Sequence, residues 1–202
     1  LQDTLGSFSL RLWRSTRGRV HLGKVSVVVP GLVSRACGLP PSPHATWQRW
    51  STADIRLSPG GVEAGWAWGP EGSVGVGVAQ PEGCGREGQY LTLDADVLQE
   101  LEPSDLHTLG GSVVGGWARY RWGVFEERGY QDHPHYPAAH LKDGTITPTA
   151  CTPTPTHGHW TSSKGSEECD ENTEDEVRQC VWVPDVTAQV NTSLLYRSDL
   201  PQ

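Results

Sequence analysis

The sequence predicts an α/β domain followed by a loop-rich, cysteine-containing extension, and three observations predict it. Apolar residues recur at helical intervals over two segments, 5–14 and 103–125. Short runs of strand length and composition, Val25–Val29, Ala53–Leu57 and Leu91–Leu93, stand between those segments. After about residue 130 the composition shifts to Pro, Thr, His and acidic residues, with three of the five cysteines. These signals divide the chain into a domain over residues 1–130 and an extension over 131–202.

Each element has its own reason. In the first segment Leu5, Phe8, Leu10, Leu12 and Trp13 predict a helix. Val25–Val29 is a β-branched run closed by Pro30, which reads as a buried strand. Residues 31–50 contain prolines and little periodicity, so they read as a surface loop pinned by Trp47 and Trp50. Ala53–Leu57 reads as the next strand. Gly60–Gly88 alternates Gly with Val or Trp and reads first as a flexible loop, with an edge strand beside a cleft as the alternative. Leu91–Leu93 follows as a short strand, and Asp94 or Asp96 caps a helical turn around Val97–Leu101.

The central helix is predicted over Pro103–Phe125, with Ser104 or Asp105 as N-cap. Leu106, Leu109, Val113, Trp117 and Tyr120 keep its interval, but Gly110-Gly111 and Gly115-Gly116 interrupt it. Each interior Gly costs roughly 1 kcal/mol relative to Ala, so packing must hold this helix. From Gln131 onward the chain reads as irregular until a strand at Val181–Val183.

Composition excludes several classes. A formal net charge of −8 argues against nucleic acid as a partner. A mean hydropathy of −0.46 fits a chain in water, and no apolar run approaches the roughly 18 residues of a membrane span. The absence of a phosphate loop, a dinucleotide fingerprint and a Gly-x-Ser-x-Gly elbow removes the common nucleotide and hydrolase signatures. Cys151, Cys169 and Cys180 lie close together in a stretch with little core of its own, the setting in which disulfides replace burial. Asn191-Thr192-Ser193 is a glycosylation sequon, in keeping with secretion.

The segment Val113–Glu127, VVGGWARYRWGVFEE, carries the functional information. A zinc-protease helix reads His-Glu-x-x-His: the histidines, one turn apart, bind the metal and the glutamate activates water. Here those places fall on Gly115, Gly116 and Arg119, while the surrounding frame survives as Trp117-Ala118, Arg121-Trp122-Gly123-Val124-Phe125 and Glu126-Glu127.

That frame resembles the N-terminal domain of the calcium-activated chloride channel regulator (CLCA) family, where it runs His-Glu-Trp-Ala-His-Leu-Arg-Trp-Gly-Val-Phe-Asp-Glu. Further anchors keep the family's order: Ser15–Pro30, Ala53-Asp54-Ile55, Cys84-Gly85-Arg86-Glu87-Gly88 with Leu91-Thr92-Leu93, Asp143-Gly144 with Cys151, and Cys180–Asp185. The resemblance implies a zincin-like metalloprotease fold in degenerate form. It also implies a protein that is secreted or held on the extracellular face of the plasma membrane. Such a protein raises a calcium-activated chloride conductance by acting on the channel. Its expected partners are a calcium-activated chloride channel and the remainder of its own chain. Cys84, Cys151, Cys169 and Cys180 are the disulfide candidates, Asn191 the glycosylation candidate, and Cys37, without a family counterpart, the candidate free thiol. Because the chain starts at Leu1 with no visible signal peptide, it is expected to be a piece of a longer protein that stops before a von Willebrand type A domain.

The substitutions change the expected chemistry. Glycine has no side-chain ligand, and Arg119 repels a divalent cation. One carboxylate at Glu126, the family's Asp position, or at Glu127 does not hold zinc in water. The expectation is a non-catalytic domain with no cofactor. Two alternatives remain, a zinc metalloprotease that cleaves its own chain through ligands not apparent in the sequence, and a decaying gene fragment. Arg119 has two readings: a guanidinium paired with Glu126 or Glu127 in the metal's electrostatic place, or an Arg in solvent. The histidines at 133, 135 and 140 and at 157 and 159 read as surface residues, as does the acidic run Glu167–Glu176, which lacks the frame of a calcium loop.

Overall fold

A computed structural model describes residues 1–29, 36, 38, 49–59, 75–100, 102, 106–130, 135, 137–152, 157–162, 180–185, 193, 195 and 196. Helix α1 spans Gln2–Ser15, strands β1 Ile55–Ser58, β2 Val76–Ala79 and β3 Tyr90–Asp94, and helices α2 Ala95–Glu100 and α3 Leu106–Trp122. Four further strands follow, β4 Ala139–Lys142, β5 Thr145–Pro148, β6 Gly158–Ser162 and β7 Cys180–Pro184. The mixture of helices and strands is α/β, as expected.

Strands β1, β3 and β2 form one mixed sheet in that order. β1 runs parallel to β3, with Ile55 opposite Leu91, and β2 runs antiparallel to it, with Val76 opposite Leu93. Helices α2 and α3 pack on this sheet, and α1 packs on α3. The core between them comprises Phe8 and Leu12 of α1, Val76 and Val78 of β2, Leu91 and Leu93 of β3, and Leu109, Val113 and Val114 of α3. Trp117 extends it, its ring tilted against Phe8 at 5.7 Å and edge-on to Tyr120 at 5.3 Å. The five apolar positions that predicted the central helix lie on its packed side, fully or partly buried.

Two of the four interior glycines of α3, Gly110 and Gly116, are explained by closeness rather than propensity. A Cβ at Gly110 would lie 2.6 Å from Ser7 Oγ, and that hydroxyl donates to the Leu106 carbonyl at 3.0 Å. A Cβ at Gly116 would lie 2.8 Å from Val76 Cγ1 and 3.0 Å from Leu91 Cδ1. One glycine lets α1 approach, the other lets the sheet approach. The packing so gained offsets the weak helix propensity.

Three expectations are corrected. Val25–Val29 is not a buried strand: it joins none of the three sheets, and Val25, Val27 and Val28 are exposed. β-branched composition favours a strand only where a neighbouring strand and a face to bury are at hand. Within Gly60–Gly88 the loop reading fails at β2, which is an edge strand with all four residues buried, because α3 covers it. The extension is not irregular throughout. β4 pairs with β5 and β6 with β7, both antiparallel, around a small core of Ala139, Ile146 and Cys180 flanked by Leu141 and Trp160. Asp143 and Gly144, both at positive φ, make the β4–β5 turn. Trp160 and Trp182 meet edge to face at 4.9 Å across the second hairpin.

Of the smaller readings, the cap on α2 holds and the pinning by Trp50 does not. Asp94 caps α2, its carboxylate accepting from the Asp96 N–H at 2.9 Å. Trp50 is exposed rather than pinned, and lies beside Arg56, whose guanidinium stacks on the Tyr90 ring. Trp47, the cap candidates Ser104 and Asp105, Cys37, Cys169, His133, Asn191 and the run Glu167–Glu176 lie outside the described residues.

Candidate functional site

The site sits at the C-terminal end of α3. Gly123 ends the helix in the left-handed conformation, φ 63°, and its N–H donates to the Arg119 carbonyl at 3.0 Å. The Cys84–Gly88 loop closes over this end. Gly88 N–H donates to the Tyr120 carbonyl at 2.7 Å and Gly85 N–H to the Gly123 carbonyl at 2.9 Å, so carbonyls left open by the helix are satisfied. Glu87 pairs with Arg121 on the surface. The Cys-Gly-Arg-Glu-Gly run is thus a helix-end clasp.

Arg119, one turn before the helix end, points inward and is 7% exposed. Its Nη1 lies 2.9 Å from Glu126 Oε1, with the two side chains 9% and 11% exposed. The other oxygen of Glu126 accepts from Arg128 Nε and from the Tyr130 hydroxyl, both at 2.9 Å. Of the two readings of Arg119, pairing is the one the structure adopts, and its partner is Glu126. Glu127, the other acidic candidate, stays out of this network. Its N–H donates to the Leu195 carbonyl at 2.9 Å, and its carboxylate faces the thiol of Cys151.

Electrostatics follow the geometry. Burial, reinforced by the charge and hydrogen bond of Glu126, pushes Tyr130 from the ordinary 10.0 up to about 12. Tyr120, which donates to Asp54, is raised to about 12, again chiefly by burial. The folded chain therefore holds both phenolic protons between pH 10 and 12, where the unfolded chain releases them. The unfolding free energy should be flat in this respect below about pH 10 and fall from there to pH 12. Tyr130→Phe should shallow that fall, measured by urea unfolding at a series of alkaline pH values. The negative charge of Glu127, followed by partial burial, raises the pKa of the Cys151 thiol.

Two of the four disulfide candidates depart from expectation. Cys84 and Cys151 are exposed free thiols, not halves of a bridge, whereas Cys180 is disulfide-bonded and buried in the small core. Cys84 opens the clasp loop, and Cys151 lies against Glu127.

The residues at the three motif positions do not fit a zinc ion. Gly115 and Gly116 offer no donor, a guanidinium has no free lone pair, and the Glu126 oxygens already accept from two arginines and a tyrosine. Among the described residues no three His, Cys, Asp or Glu side chains gather as a metal site. His157 and His159 line a shallow cavity of about 510 Å³ with Pro184 and Asp185 on the second hairpin, and His140 is exposed on β4.

The site is thus the end of a helix packed on an antiparallel edge strand, closed by a paired Arg and carboxylate, in an α/β domain. The family model described as "Calcium-activated chloride channel N terminal" matches residues 1–202, the entire chain. The chain belongs to that family. No curated protein and no solved structure matches it.

The buried ion pair was accessible to sequence reasoning only as an alternative. Arg128 and Tyr130, which complete it, were missed. Their one signal was proximity to Glu126 in the chain, and no periodicity marks a turn that folds back on a helix end.

Proposed function

We propose that this chain is a non-catalytic member of its family, a domain that acts by binding on a calcium-activated chloride channel outside the cell or at its surface. The observation that carries the reading is the pairing of Arg119 with Glu126 at the place where the resemblance puts a metal. A guanidinium can balance a carboxylate there but cannot polarise a carbonyl or activate water. Membership of the calcium-activated chloride channel family supplies the link to chloride conductance. No described helix is long and apolar enough to cross a membrane, which suits a regulator that works on a separate channel. A zincin-like fold is part of the same proposal, supported by the antiparallel edge strand β2 lying along α3 over the motif positions.

The test is metal content and cleavage on the purified protein. The expected result is less than a tenth of an equivalent of zinc, no effect of chelator on unfolding, and no cleavage of its own chain. Stoichiometric zinc, lost to chelator together with a cleavage activity, would establish the metalloprotease reading instead. Failure of the expressed domain to unfold cooperatively would favour a decaying copy. Addition of the domain to cells carrying a calcium-activated chloride conductance should raise the current, and an unchanged current would remove the channel-regulator part of the proposal.

A further inference from the structure

We propose that Arg119, Glu126, Arg128 and Tyr130 form a latch that holds the extension on the helical body, so that side-chain charge does structurally what a bound cation would do at a helix end. The proposal rests on the non-catalytic reading above and goes beyond it by giving the substituted site a present task.

The network sits on the stretch of chain that leads from the first core to the second. Arg119 comes from α3, within the first core; Glu126, Arg128 and Tyr130 come from the chain just after it. That stretch is in turn bonded to the extension on both sides of Glu126's neighbours. Glu127 N–H donates to Leu195, and the Tyr130 carbonyl accepts from Ala138 N–H at 3.0 Å, beside a bridge between Tyr130 and Pro137. Between them, Gly129 lies so close to the Pro137 carbonyl that a Cβ would overlap it. The next layer follows directly: Thr149 bonds both Pro137 and Ala138, leading into β4 and β5.

Burial decides whether this pairing matters. An exposed pair such as Arg121 with Glu87 contributes little, because water screens it. Glu126 is enclosed, and a carboxylate withdrawn from water is tolerated only when its oxygens are paired and bonded. Arg119 and Arg128 approach different oxygens, one from the helix and one from beyond the turn. The carboxylate therefore fixes the direction in which the chain leaves α3. Arg119 is the component that a histidine ligand would not supply, since only the long cationic side chain reaches the carboxylate without an intervening ion.

The test is a double-mutant cycle with Arg119→Leu and Glu126→Leu, each alone and combined, in the whole chain. Each single change should lower Tm by on the order of 10 °C, because it takes a partner from a buried charge. The double variant should recover at least half of the summed loss. In the single variants limited proteolysis should open the chain near residues 127–138 before the helical core. If a leucine variant does not fold, Arg119→Gln and Glu126→Gln give the same cycle with smaller changes of shape, and the same non-additivity is expected. Additive effects, or single variants as stable and protease-resistant as the parent, would overturn the latch. The two readings fail separately. Zinc in the purified protein would sink the non-catalytic function, whereas an additive cycle in zinc-free protein would sink only the latch.

Discussion

Gly116→Glu, which puts a carboxylate back at the general-base position of the protease motif, should lose at least about 3 kcal/mol of stability or prevent folding. The Cβ alone would stand 2.8 Å from Val76 Cγ1 and 3.0 Å from Leu91 Cδ1, and Leu91 is fully buried. Val76 is β-branched and sits on β2, so it cannot rotate away cheaply. Gly116→Ala separates the terms. It should gain roughly 1 kcal/mol of helix propensity and lose roughly 1–3 kcal/mol to overpacking. A net destabilisation of about 1 kcal/mol is the expected result. The glutamate adds an unpaired charge in an apolar contact, which only a shift of the strand away from the helix would relieve. Urea unfolding of both variants checks this, and parental stability for Gly116→Glu would show that the cleft beside β2 is open after all. The functional meaning is that a glutamate at 116 requires repacking of β2 and β3 against α3, not just an exchange of side chains.

The second large effect is at the helix end. Gly123→Ala should destabilise by about 3–4 kcal/mol, and Tm should fall by about 10 °C in a chain of this size. A residue with a Cβ pays roughly 1–2 kcal/mol for the left-handed conformation that Gly123 holds at φ 63°. Its Cβ would also overlap the backbone of Arg86 and push the clasp loop off α3. The hydrogen bonds from Gly85 and Gly88 would go with it, at about 1 kcal/mol each. Gly144→Ala is the control, since Gly144 has φ 77° but nothing within 4 Å of the added Cβ. It should lose only the conformational part. Equal losses at 123 and 144 in thermal unfolding would show that the clasp contributes nothing.

Much of the helical body was legible from residue pattern. The intervals of Leu5, Phe8 and Leu12 and of Leu109, Val113 and Trp117 place α1 and α3, because a helix buries one stripe and the stripe is local. Strands were legible only where a partner existed. Leu91–Leu93 lies at the centre of the sheet, with a strand on each side, and was read correctly. Val25–Val29 has the stronger strand composition but no neighbour in any sheet. β2 shows the reverse case. Its Gly-Val alternation is weak by propensity, and burial beneath α3 makes it a strand. In the extension, the turn of Asp143 and Gly144 was visible as a pair of residues, yet the hairpin it joins depends on the side chains that meet in the small core.

For the site, the sequence by itself determined the family frame, Trp117-Ala118 with Arg121–Phe125, and the identities Gly115, Gly116 and Arg119 at the motif positions. These are facts of residue type and spacing, which need no folding to be read. Tertiary structure alone decided that Arg119 turns inward to Glu126 rather than to Glu127 or to water, that Arg128 and Tyr130 close around the same carboxylate, and that Val76 and Leu91 pack against Gly116. The physical reason is range. A buried charge takes whichever partner the chain reversal after Gly123 brings within hydrogen-bond distance, and a glycine's worth is set by what approaches it from a distant strand.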